Sequence, residues 1–205
     1  QLHWPPEDGT SLDEYWGAML ELKREGKIRA AGLSNHNADQ LVAAERLGHV
    51  DTLQPPFSAV RRDVAERELP WCAEHRTGVI VYSPMLSGLL SGAFTRERAA
   101  ALPQNDWRSR AANFHGEALE RNLALVETLR AVATRHGTGV GSVAIAWTLA
   151  WRGVTGAIVG ARDPAQVDGW IDAAALELKP ADLEEISTAI RRTGAGSGPM
   201  AGPAR

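Results

Sequence analysis

Cysteine is nearly absent: the 205 residues hold one, Cys72. A single thiol closes no internal disulfide, so no disulfide framework staples this chain, and the usage points to a reducing, cytoplasmic setting. An excess of charge is also missing. Lys and Arg number 22 against 25 Asp and Glu, a formal net charge of -3. That removes the electrostatic case for nucleic acid, a ligand that asks for a net basic face. No apolar run approaches the roughly 18–20 residues of a membrane-spanning helix, so no membrane partner is expected. No basic segment followed by an apolar one marks a secretory signal. Tyrosine is scarce, with Tyr15 and Tyr82 the only two. Of the six histidines, His49, His75, His115 and His136 show no metal-ligand spacing, and no metal is expected.

What is present is the makeup of a globular domain, 44 % hydrophobic and 23 % charged. A disordered or collagen-like chain is thereby excluded. The length is enough to bury a sizeable core in one domain. The sequence starts at Gln1 and enters an apolar run at once, where a natural terminus is more often polar. We therefore expect a piece of a longer protein.

Short apolar runs alternate with helical patterns. Gln1–Trp4 is closed by Pro5-Pro6, which cannot continue a helix. Thr10 or Ser11 caps a helix whose apolar face includes Leu12, Tyr15, Trp16, Met19 and Leu20. Strands are predicted at Ile28–Leu33, Val50–Leu53, Val79–Tyr82 and Gly156–Val159. Helices are predicted at Ala38–Leu47, Asp63–His75 (kinked or divided at Pro70), Glu117–Arg135, Val140–Trp151, Pro164–Ala174 and Ala181–Arg192. Trp16, Trp147 and Trp151 fall on helical stripes and read as core, and Cys72 as a half-buried helix residue. The Gly/Ala/Pro/Ser-rich tail 193–205 reads as flexible. The alternation argues for an α/β fold with a parallel sheet under helices. Five strands cannot close a barrel of eight.

The polar residues gather where strands end: His3, Ser34-Asn35, Gln54, Tyr82-Ser83, and Gly160-Ala161-Arg162. In α/β barrels that end carries the active site. Each residue also has a plainer reading. His3 packs beside Trp4, Ser34-Asn35 shapes a turn, Gln54 is a solvated loop residue, Tyr82 is a core aromatic and Arg162 a solvated charge. Leu86–His115 is a long connection of the kind that forms active-site loops.

Several segments, in this order and spacing, resemble the aldo-keto reductases. They are Gln1-Leu2-His3-Trp4-Pro5, Gly26-Lys27-Ile28-Arg29 through Gly32-Leu33-Ser34-Asn35, and Leu53-Gln54-Pro55-Pro56-Phe57. With them go Tyr82-Ser83-Pro84, Ser87-Gly88-Leu89-Leu90-Ser91-Gly92, Ala144-Ile145-Ala146-Trp147, and Ile158-Val159-Gly160-Ala161-Arg162 with Pro164 and Gln166. The resemblance is to the group that includes the potassium-channel β subunits and many bacterial oxidoreductases. It implies a (β/α)8 TIM barrel that uses NADPH to reduce aldehydes and ketones. Residues 1–192 then correspond to the C-terminal part of that barrel, strands 4–8 with their helices and a C-terminal helix.

The resemblance also implies roles. His3 is one of four catalytic residues and orients the carbonyl substrate. Ser34, Asn35 and Gln54 clamp the nicotinamide carboxamide, and Tyr82 stacks on its ring. Ser83, Ser87 and Gly88 hold the pyrophosphate. Gly160, Arg162 and Gln166 hold the adenosine side, where Arg162 beside a helix N-terminus grips the 2′-phosphate and favours NADP(H) over NAD. The family's catalytic tyrosine, lysine and aspartate precede the fourth strand, so this chain alone is expected to be inactive. The alternatives are a regulatory or redox-sensing subunit that binds NADPH without turnover, or a truncated product. Two departures stand out. Gly169-Trp170 replaces the Glu-Asn pair of many relatives, and Ala93 stands where some carry a basic residue that Arg96 is positioned to replace. Arg108 and Arg110 fit either a substrate role or none.

Overall fold

The structure, a computed structural model, describes residues 1–200 and Gly202. Four parallel strands form one sheet in chain order: β1 (Gly32–Ser34), β2 (Thr52–Gln54), β3 (Gly78–Tyr82) and β4 (Val154–Ile158). The fifth expected strand, at Gln1–Trp4, is reduced to Leu2, which pairs with Leu33 beside β1. Leu2 donates to the Gly32 carbonyl and accepts from Ser34 N, both at 2.8 Å. Pro5 and Pro6 have no N–H with which to extend that pairing.

β1 is shorter than the expected Ile28–Leu33, and at its start a side chain takes a backbone N–H. Asp51 accepts the Ala31 N–H at 2.7 Å and binds the Lys23 ammonium at 2.7 Å. Pairing therefore starts at Gly32, one residue further on. From there the register brings the strand ends together, with Ser34 beside Gln54, Pro56 beside Tyr82, and Tyr82 beside Ile158.

Helices α1 (Leu12–Arg24), α2 (Ala38–Leu47) and α3 (Glu68–His75) cover one flank of the chain. Ser11 caps α1 through Glu14 N at 3.3 Å, and Asn37 and Gln40 form a reciprocal capping box at the start of α2. Trp16 is fully buried with its indole donating to the Gly48 carbonyl at 3.1 Å. The predicted helix Asp63–His75 is divided, as the proline suggested, but upstream of it. A 3₁₀ turn at Asp63–Ala65 precedes α3, and Pro70 sits in the first turn of α3, where its missing N–H costs nothing. Cys72 is fully buried rather than half-buried, and burial pushes its thiol up to about 12.

After β3 the chain runs through α4 (Arg96–Ala100) and two 3₁₀ turns into α5 (Gly116–His136) and α6 (Val140–Leu149). Every residue of α6 from Val140 to Thr148 is buried, so this helix lies inside the core. Phe57 stacks on Trp147 at 5.7 Å and meets Trp151 edge-on at 5.3 Å. The predicted helix Pro164–Ala174 is instead α7 (Ala165–Asp168) and a 3₁₀ turn at Ile171–Ala174, separated by Gly169. The last helix, α8 (Pro180–Thr193), starts on its proline.

The tail from Thr193 does not read as flexible through Pro199. Arg62 is fully buried, and its guanidinium donates to the Ala59, Ala195 and Pro199 carbonyls. Ser197 N donates to Val60 O at 3.2 Å, and Arg62 N donates to Ser197 O at 3.1 Å. Gly196 and Gly198 have φ of +68° and +83°, and a Cβ on either would strike the backbone of Val60 or Arg62. Small residues are there for docking rather than for disorder. Residues 201 and 203–205 of the expected flexible tail lie outside the described residues.

Candidate active site

The strand ends form one hydrogen-bonded network. Asn35 adopts φ +62°, a left-handed conformation that Asn tolerates better than most residues. Its N–H donates to the Gln54 carbonyl at 3.2 Å. Its side-chain Nδ2 donates to the His3 carbonyl at 2.9 Å and to Ser34 Oγ at 3.1 Å. Tyr82 donates its hydroxyl to Asn35 Oδ1 at 2.8 Å, and Ser34 Oγ–H donates to the Gln54 carbonyl at 2.8 Å. Residues from four segments thus meet at Asn35. The His3 imidazole itself has no hydrogen bond among the described residues and lies 5.9 Å from the Trp4 ring. The Gln54 side-chain amide likewise has no partner among the described residues and keeps its donor and acceptor sites open.

A cleft of about 880 Å³ opens beside Tyr82 and runs past the β3 loop to the end of β4. Of the residues singled out from sequence, Tyr82, Ser83, Ser87, Gly88, Gly160, Arg162 and Gln166 line it. His3, Ser34, Asn35 and Gln54 do not, and join it only through the Tyr82 hydroxyl.

The loop after β3 turns through left-handed residues at Ser83, Leu86, Ser87 and Gly88. Such turns make concavities lined by backbone N–H groups that suit anions. The N–H groups of Ser87 and Gly88 have no hydrogen-bond partner among the described residues.

Three arginines and one aspartate are the charged residues on the cleft wall: Arg98, Arg108, Arg162 and Asp106. Asp106 binds Arg108 through two bonds, 2.6 Å to Nη2 and 3.0 Å to Nε. That pairing, with the Arg108 N–H, holds the Asp106 carboxyl down at about 2. Arg108 also donates to the Ser87 carbonyl at 3.2 Å, tying the two sides of the loop. Arg98 lies over the Phe94 ring at 5.8 Å. Arg162 makes no ion pair among the described residues, and its N–H donates to Gln166 Oε1 at 3.0 Å. The net positive wall, on a chain of net charge -3, favours an anionic ligand.

Three expectations change here. The helix expected beside Arg162 has only four residues, so the helix-dipole part of the phosphate argument falls away and the guanidinium remains. Arg96 does not replace the missing basic residue, because it pairs with Glu120 at 2.5 Å, whereas Arg98 reaches the cleft. Trp170, read only as a departure, is a cleft wall beside Met85 and Gly141. Sequence reasoning missed Arg98 and Asp106. The pattern Asp106-Trp107-Arg108, an N-cap carboxylate with an Arg two residues on, was the available signal.

Comparison with known proteins agrees with the geometry. The model of the "Aldo/keto reductase family" matches residues 1–191. The chain is 31 % identical over 194 residues to "Aldo-keto reductase YhdN" of Bacillus subtilis (strain 168), covering 94 % of this chain and 58 % of that protein. It is 30 % identical over 197 residues to the "NADH-specific methylglyoxal reductase" of Escherichia coli (strain K12), covering 93 % and 59 %. It is 27 % identical over 183 residues to "Aldo-keto reductase yakc [NADP(+)]" of Schizosaccharomyces pombe, covering 88 % and 53 %. The solved glycerol dehydrogenase AKR11B4 from Gluconobacter oxydans superposes with a TM-score of 0.87 at 29 % identity, over 96 % of this chain and 59 % of that one. The chain therefore spans between a half and three-fifths of the length of these relatives.

Proposed function

The chain belongs to the aldo/keto reductase family, and from that premise we propose that it is the cofactor-holding side, strands 4–8, of an NADP(H)-dependent barrel that reduces aldehydes or ketones to alcohols. The observation that carries this reading is the strand-end network opening on a cleft with three arginines and one aspartate. A bound nicotinamide dinucleotide supplies the hydride. The residues present fit such a group: Gln54 offers a free amide to a carboxamide, and Tyr82 a flat apolar face. The unpartnered N–H groups of Ser87 and Gly88 suit a pyrophosphate. His3 orients the carbonyl oxygen of the substrate.

The choice of NADP(H) rests on Arg162. Relatives differ, one being named NADH-specific and another NADP(+)-linked. An unpaired guanidinium at the end of β4 is suited to a 2′-phosphate dianion. Replacing Arg162 with Ala is expected to weaken NADPH binding by about tenfold to a hundredfold, the worth of a charged hydrogen bond, and to leave NADH binding unchanged. Equal effects on both cofactors would remove the preference.

Reduction also needs a proton donor. Tyr15 and Tyr82 bond to His36 and Asn35, and burial raises both phenols above their ordinary value. Neither is tuned toward neutral pH, as a proton donor would need to be. The resemblance to the family puts the donor tyrosine, with its lysine and aspartate, before the fourth strand, so the 205 residues alone are expected to turn over no carbonyl. Sustained NADPH oxidation with an aldehyde by the purified chain would contradict this. The buried thiol of Cys72 fits a reducing cytoplasm.

A further inference from the structure

Behind the strand-end network lie two polar side chains that the cofactor reading leaves unused. His36 is 3 % exposed. Its Nδ1 lies 2.9 Å from the Ser34 carbonyl oxygen, and its Nε2 lies 3.0 Å from the Tyr15 hydroxyl. A carbonyl oxygen only accepts, so Nδ1 carries the proton. The neutral ring then presents Nε2 as an acceptor, and the Tyr15 hydroxyl donates to it. The tautomer and the ring orientation are fixed from both sides.

This ring sits where β1 ends. Asn35, between Ser34 and His36, takes the left-handed conformation that residues with a Cβ disfavour. The bend stops the ladder, and the Ser34 carbonyl finds its partner in the His36 ring. The adjoining peptide N–H, that of Asn35, bonds to Gln54 O at 3.2 Å. One peptide unit is therefore gripped on both sides, by β2 and by a histidine braced on α1. A hydrophobic core at this point would leave the Ser34 carbonyl unpaired.

We propose that Tyr15 and His36 are a positioning pair for the cofactor clamp: the hydroxyl fixes the ring, the ring fixes the Ser34–Asn35 peptide, and the Asn35 side-chain amide is held among His3, Ser34 and Tyr82. Neither residue touches the cofactor. The structural half of this inference stands on the distances above. The half that concerns nicotinamide rests on the cofactor reading.

The test compares the wild-type chain with Tyr15→Phe, His36→Phe and His36→Asn. The first readout needs no cofactor: native-state hydrogen exchange of the Asn35 backbone N–H, with Leu129 in the core of α5 as reference. His36→Phe is expected to speed exchange at Asn35 by about tenfold with Leu129 unchanged, a local opening. Tyr15→Phe, which deletes one oxygen, is expected to do so by about threefold, a smaller share of one hydrogen bond. His36→Asn retains a side-chain N–H donor and is expected to recover most of the protection.

The second readout is binding of NADPH against adenosine 2′,5′-bisphosphate, which lacks the nicotinamide. The pair acts on NADPH alone, so His36→Phe weakens it by about tenfold and leaves the bisphosphate unchanged. Wild-type exchange at Asn35 in both His36→Phe and Tyr15→Phe overturns the proposal. So does an equal loss on both ligands, which marks a general loosening. If the wild-type chain binds neither ligand, the cofactor reading fails, and exchange at Asn35 alone decides the pair.

Discussion

At the strand ends, Asn35 is tied to residues 32 positions before it and 47 after it, His3 and Tyr82. At the cleft wall, Asp106 binds Arg108 two residues away. The first set of contacts exists only because the sheet register places distant residues side by side, so it stands or falls with the fold. The second is local chemistry on a loop, strengthened by charge and exposed to salt. The strand ends thus inherit rigidity from the sheet, and the cleft wall owes its shape to the Asp106–Arg108 ion pair.

The strongest way to break the first end is through Arg62, which fastens the segment after Gln54 to the docked tail. Arg62→Ala leaves the buried Ala59 and Ala195 carbonyls, and the half-buried Pro199 carbonyl, without their donor. We expect a loss of about 3 kcal/mol in urea unfolding, since each orphaned buried group costs about 1–3 kcal/mol and some will find water.

Acid separates the two ends next. His36 is buried and its pKa is lowered from 6.5, chiefly by desolvation. The unfolded chain then binds the proton more readily, so stability is complete above about pH 6.5 and falls as the pH drops below it, by up to about 1.4 kcal/mol per pH unit. Asp106 runs the same way, but at lower pH. Its pKa is depressed to about 2 from 3.8, so the stability its pairing with Arg108 contributes shrinks as the pH falls below 3.8 and is gone below about 2. Unfolding followed from pH 7 downward should therefore show a loss near pH 6 that His36→Asn removes and Asp106→Asn leaves in place.

Salt gives a smaller and opposite contrast. Asp106→Asn removes the one carboxylate from the cleft wall and is expected to strengthen NADPH binding a few-fold near 0.1 M salt, and less near 1 M, where the screening length falls from about 10 to 3 Å. The effect of His36→Phe should not change across that range. The smallest expected signal is a null one: Cys72, with its thiol at about 12, stays unreactive to maleimide in Tyr15→Phe and Asp106→Asn and reacts only on unfolding.

The same contrast explains what the sequence made legible. Ser34, Asn35, Gln54 and Tyr82 announce themselves because polar residues closing apolar runs stand out against periodicity. Their strand–helix order was enough to give a parallel sheet. The start of β1 was not legible, because Asp51 reaches across to take the Ala31 N–H and no local pattern records it. The docked tail was misread for a related reason. Its Gly-Ser-Gly composition looks disordered, and the arginine that holds it lies more than 130 residues away. Arg98 and Asp106 escaped notice because charged loop residues carry no periodic signal.

On the proposed function, the strand ends, rather than the cleft alone, hold the nicotinamide. The most direct measurement is a titration of the ¹⁵N-labelled 205-residue chain with NADPH and, separately, with adenosine 2′,5′-bisphosphate. The account predicts that both ligands move the resonances of Ser87, Gly88 and Arg162, and that only NADPH moves the side-chain amides of Asn35 and Gln54. Identical spectra with the two ligands, leaving Asn35 and Gln54 where they were, would contradict it.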